Sequence, residues 1–238
     1  MTQDTPDLET TAQEIKSRGY WEVVIRPLKF NEKRLESLKA CSDLVLENKV
    51  RLRGWDYPHL SSKYDVVSGD SWVENVTNWL DHKEIWRMYQ SGQFFHIFGC
   101  REDWWGPVRI FWSEKRVTEP GYGLEFLCTV YSLTEIFEFA SRLAKRNLFE
   151  ESLKILVILH GMKNRRLVTT EIRRSLSDNY LCRIENITLN REIAVDEIIT
   201  ARNELAVDAM CYVFERFNWR EPPRRVLEEE QGKLLKGL

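Results

Sequence analysis

Apolar and polar positions alternate along YWEVVIRPLKF (Tyr20 to Phe30), a β-branched and aromatic run bounded by Gly19 and Pro27. That pattern predicts a first strand. Asn31 then reads as the cap of a helix in which Leu35, Leu38, Cys41 and Val45 recur at three- and four-residue steps to about Asn48. RLRGWDYPHL alternates briefly and closes in a turn or strand end at Pro58. Residues 72–100 read as a meander, with EIWRMYQ and QFFHIFG on either side of Ser91-Gly92. A two-residue loop there would set Tyr89 opposite Phe94, Arg87 opposite His96 and Ile85 opposite Phe98. Met88 and Phe95, and Trp86 and Ile97, would pair on the other face. Both faces are apolar, so the hairpin is expected to be covered on both sides.

Downstream of Trp104-Trp105-Gly106-Pro107, VRIFWSE and YGLEFLCTVY read as two more strands. Ser132 and Glu135 have capping-box spacing ahead of the amphipathic run Ile136, Phe137, Ala140, Leu143, Ala144. LKILVILHG reads as a buried strand turning at Gly161 and Asn164 into RRLVT, with another strand pair between Tyr180 and Ile193. Asp196 is expected to cap the strongest helix, which Pro222-Pro223 ends, and RRVLEEEQGKLLKGL reads as a short docking helix. The class is α+β: a strand-rich aromatic N-terminal half with a mixed or antiparallel sheet, then helices and further strands. Residues 1–14, with Asp4, Asp7, Glu9 and Glu14 and no Lys or Arg, read as a disordered acidic tail. Residues 15–221 read as one domain, with a soft boundary near Tyr131, and 222–238 as a C-terminal docking segment.

Tryptophan is unevenly placed. Seven of the nine (Trp55, Trp72, Trp79, Trp86, Trp104, Trp105, Trp112) fall in one stretch mixed with Arg, Glu and Gly, which locates a large aromatic core or binding surface. A net charge of −2 argues against coating nucleic acid or membrane by bulk electrostatics. Five cysteines without a CxxC pair read as reduced thiols in a cytosolic protein. No apolar run is long enough to span a membrane.

The densest cluster of reactive side chains is RGWDYPH. Arg53, Asp56 and His59 there are candidate catalytic groups, with Asp orienting His as a general base. The competing reading, which we favour, is an ion pair fixing a turn while Trp55 and Tyr57 enter the core. Arg87 beside His96 would need an acid, with Glu74, Glu84 and Glu125 in reach. Lys154–Arg191 holds eight bases against three acids, a local net of +5. Arg165, Arg166, Arg173 and Arg174 flank turns there and are candidate phosphate contacts for a nucleic acid. No metal-ligand spacing, phosphate loop or nucleophile elbow is present, and no metal or cofactor is expected.

These observations lead to a cytosolic, non-enzymatic binding module that contacts a protein or a nucleic-acid backbone through an aromatic/Arg-rich or basic surface. The alternatives are a phosphodiester hydrolase or nuclease centred on Arg53, Asp56 and His59, and a structural subunit of a larger assembly.

Overall fold

A computed structural model describes residues 7–60, 66–105, 119–171, 176 and 180–237. Among them the chain is α+β. In order, the elements are α1 (Leu8–Lys16), β1 (Tyr20–Pro27), α2 (Leu38–Asn48), β2 (Val67–Ser68), β3 (Trp72–Trp79), β4 (His82–Tyr89) and β5 (Phe94–Gly99). After a one-turn 3₁₀ helix, Arg101–Asp103, come β6 (Gly123–Glu125), α3 (Phe126–Lys145), β7 (Ser152–His160), β8 (Arg166–Val168), β9 (Ile187–Ala194), α4 (Val195–Glu215) and α5 (Arg224–Lys236).

Seven strands form one antiparallel sheet in the order β2-β3-β4-β5-β1-β7-β9, and β6 and β8 make a small parallel pair. Alternation gives the sheet two unlike faces. Trp21, Val23 and Ile25 of β1 align with Leu159, Val157 and Ile155 of β7 and with Phe98, His96 and Phe94 of β5 on the inner face. There they meet α3 and α4 in one apolar cluster that runs from Trp21 to Leu227 and includes residues on both sides of position 131, itself inside α3. α5 packs on α3 and α4, with Leu227 and Leu234 buried.

On the outer face Ile85 and Ile97 are buried by Ile15 of α1. Residues 8–14, expected in a disordered tail, therefore form most of a helix. Asp7 caps it by accepting from the Thr10 N–H at 2.7 Å, and Ile15 gives it an apolar anchor that charge composition concealed.

The β4–β5 turn lies where it was expected but is one residue longer. Tyr89 N–H donates to Gln93 O and Gly92 N–H to Tyr89 O, each at 2.9 Å, so the loop is Gln90-Ser91-Gly92 with Gly92 at φ +84°. A three-residue loop ending in a left-handed glycine is a common hairpin form. The extra residue moves every pair: Met88 faces Phe94, Arg87 faces Phe95, Trp86 faces His96 and Glu84 faces Phe98. Arg87 and His96 thus point to opposite faces. Arg87 pairs with Glu74 on the outer face, and His96 with Glu84 on the inner one.

Four further expectations are corrected. α2 starts at Leu38 behind Ser37, whose side chain accepts from the Ala40 N–H, rather than behind Asn31. YGLEFLCTVY is strand only over Gly123–Glu125. From Phe126 it is helix, because Glu125 caps it and Phe126, Val130, Leu133 and Phe137 share one buried side. That places Ser132 and Glu135 inside α3 instead of at its start. RRLVT does not fold back on β7; β8 pairs in parallel with β6, and β9 alone takes the edge beside β7. VRIFWSE lies outside the described residues.

Candidate functional site

The inner-face ends of β4 and β5, the α3 helix and the turns around Arg53, Asp81 and Arg101 border a partly open cavity of about 40 Å³ in which charged side chains stand among apolar ones such as Trp21, Phe98 and Leu124. Arg53 lies in the loop closed by the isolated antiparallel bridge between Val50 and Tyr57. Its Nε and Nη2 donate to Glu135 of α3 at 2.9 and 2.6 Å. Arg101, on the 3₁₀ turn, donates through the same two nitrogens to Asp81 at 3.0 and 2.8 Å. Each guanidinium is thus oriented by a carboxylate on one edge, and neither Nη1 has a hydrogen bond among the described residues.

Glu84 is the best-satisfied acid of the cavity. It accepts from Trp55 Nε1 at 2.7 Å and from the His59 backbone N–H at 3.0 Å, and His96 Nε2 lies 2.9 Å away. Burial works against its charge, but these donors overcome it and hold the carboxyl at about 2. Glu102 has the opposite fate. It accepts from the Glu125 N–H at 2.9 Å and has no ion pair among the described residues, and burial pushes it up to about 7. His82 is pushed down to about 4, first by burial and then by Arg101, and is a neutral imidazole near pH 7. The Tyr57 hydroxyl is buried and has no hydrogen-bond partner among the described residues.

The Arg53–Asp56–His59 constellation does not assemble. Arg53 is committed to Glu135, Asp56 pairs with Lys49 at 2.5 Å, and the His59 ring stacks on Trp55 with centroids 3.7 Å apart. Stacking on Trp55 holds that imidazole against the aromatic column. The basic stretch also divides. Arg165 is only 1% exposed: two of its nitrogens meet Asp103 at 2.8 and 2.5 Å, and it donates to the carbonyls of Gly161 and Gly123. Asp103 in turn accepts from the N–H groups of Gly19 and Gly121. Arg165 is therefore an internal tie with no donor edge to offer a phosphate. Arg166 is half-buried, its backbone N–H donating to Tyr122 O. Arg173 and Arg174 lie outside the described residues.

Beside the cavity, sharing Asp81 with it, an open groove is lined by Leu80, Trp104, Trp105 and Thr170. Leu80, which lines it, is 70% exposed, and its chain neighbour Trp79 is 53% exposed. Trp79 stacks on Trp55, which stacks in turn on His82, so this exposed pair and the cavity share one aromatic column. Sequence reasoning did not single out Asp81, Arg101, Glu102 or Glu135 as a group. They come from three separate elements, and no spacing links them.

Among the described residues no group of three His, Cys, Asp or Glu side chains is placed to hold a metal ion, and no helix is long and apolar enough to cross a membrane. The chain matches no known protein family, and no curated protein or solved structure shows significant similarity to it.

Proposed function

We propose that this chain is a cytosolic, non-enzymatic binding module that docks a protein partner on the Trp79–Leu80 rim. The observation that carries the reading is the exposure of those two neighbouring side chains, of which Leu80 lines a groove walled by Trp104 and Trp105. Covering a Leu contributes about 1.5–3 kcal/mol, and tryptophan is enriched at interface hot spots. The free cysteines, with Cys41, Cys100 and Cys182 buried, fit a reducing compartment. A protein is favoured over a nucleic acid because Arg165, the centre of the basic candidates, is consumed by Asp103.

Selection of a random-peptide display library on the folded protein tests this. Recovered peptides should bind Trp79→Ser/Leu80→Ser at least tenfold more weakly, with the unfolding midpoint of the variant near that of the parent chain. Failure to enrich any peptide, or equal binding to the variant, would reject the rim as the docking surface.

A further inference from the structure

The cavity behind the rim is built for a small guest of one charge type. Arg53 and Arg101 reach it from different elements, each held on its Nε/Nη2 edge by an acid and each leaving Nη1 without a bond among the described residues. Tyr57, also in the wall, has a buried hydroxyl with no partner among the described residues, and a buried donor left unsatisfied is costly. These are all donors, and guanidinium edges match the planar, two-oxygen geometry of a carboxylate.

Size and charge narrow the guest further. A space of about 40 Å³ admits only a small guest. A carboxylate, planar with three heavy atoms, is smaller than a tetrahedral phosphate with five. Glu84, Glu135 and Asp81 in the wall each already accept from donors of their own, Arg53 and Arg101 among them, so little positive charge is left for a dianion. The two unbonded Nη1 edges suit one small planar acceptor group better.

We propose that this cavity seats one carboxylate group, supplied by an acidic side chain of the protein segment that docks on the Trp79–Leu80 rim. The inference rests on the rim reading for the source of the carboxylate, but the seat itself can be tested without it. Asp81 belongs to both the cavity and the groove, so a segment lying in the groove needs only one side chain to turn inward.

The experiment is an NMR titration of the folded protein at pH 6, where Glu102, pushed up to about 7, is mostly protonated. The reporter is the indole N–H of Trp55, which bonds Glu84 in the cavity wall. Sodium acetate, sodium phosphate and methylammonium chloride are added at matched ionic strength. Acetate should give a saturable shift, and the other two should not. In Arg101→Gln/Asp81→Asn, which removes both charges of a half-exposed pair, acetate should bind at least tenfold more weakly. Arg101→Lys, which keeps the charge and loses the fork, should also weaken it and serves if the double variant fails to fold.

No saturation by acetate, saturation by methylammonium, or acetate binding unchanged in the folded variants would overturn the seat. Peptides selected on the rim should carry Asp or Glu and compete with acetate. Rim peptides lacking an acid and indifferent to acetate would overturn the inference while leaving the rim reading intact. Acetate binding with no rim peptide would do the reverse, removing the rim reading and the peptide source and assigning the seat to a free carboxylate.

Discussion

Glu84 Oε2 lies 2.9 Å from His96 Nε2, and the two side chains meet diagonally across β4 and β5. The residue directly opposite His96 is Trp86, and the one opposite Glu84 is Phe98. This contact exists only because the hairpin loop has three residues. A two-residue loop would have turned His96 to the same face as Arg87 and left Glu84 without its imidazole partner.

Glu84→Gln should destabilise the protein near pH 7 by roughly 3 kcal/mol. The carboxyl falls from its ordinary 4.5 to about 2 in the fold, and each unit corresponds to about 1.4 kcal/mol. A depressed carboxyl contributes stability that is complete above pH 4.5 and is lost as pH falls towards 2. Urea midpoints of parent and variant should therefore converge between those limits. A constant gap would show that packing, not charge, is what the substitution disturbs.

Glu102→Gln should do the opposite. Burial raises this carboxyl from 4.5 to about 7, so its ionisation opposes folding. The cost is absent below pH 4.5, grows above it and is complete above pH 7. The amide variant should match the parent at pH 4 and exceed it at pH 8 by up to about 3 kcal/mol. Equal midpoints at pH 8 would assign Glu102 to contact with solvent.

Arg165→Ala should cost about 3–5 kcal/mol, because it leaves Asp103 buried without its cation. Raising the salt concentration should leave most of that loss in place, since a buried pair is weakly screened. A loss below about 1 kcal/mol, the range of an exposed pair, would return Arg165 to the surface.

Gly92→Val should lower stability by more than 1 kcal/mol, a fall in Tm of a few degrees for a chain of this size. The position has φ +84°, and a Cβ there would stand 2.7 Å from Arg34 Cδ. Strain and crowding act together. An unchanged midpoint would mean that the loop can re-form with a different register.

The class, the meander, the β1 and β7 strands and the long α4 helix were legible because each carries a strong period: two in Trp21-Val23-Ile25, near 3.6 in Val207, Met210 and Phe214. α4 nevertheless starts behind Ala194, with Asp196 inside its first turn instead of capping it. What misled was local chemistry with two solutions. Phe126, Val130 and Leu133 fit a helix, while YGLEFLCTVY read in isolation fits a strand; Glu125, as a cap, decides between them. Ser91-Gly92 marked the turn but not the inclusion of Gln90, and one residue of loop decides which face every side chain takes. The cavity was illegible for another reason. Arg53 and Glu135, or Arg101 and Asp81, meet through the fold and not through spacing, so Arg53 stood out beside the wrong partners and Glu135 only as a helix cap.

Asp103 gives the molecule a timing property as well as an anchor. One carboxylate receives the amide hydrogens of Gly19 and Gly121 and the guanidinium of Arg165, from three stretches far apart in sequence. None of these contacts can open freely while the others hold. Under native conditions the Gly19 and Gly121 amides should exchange deuterium at matched rates, as a single cooperative unit.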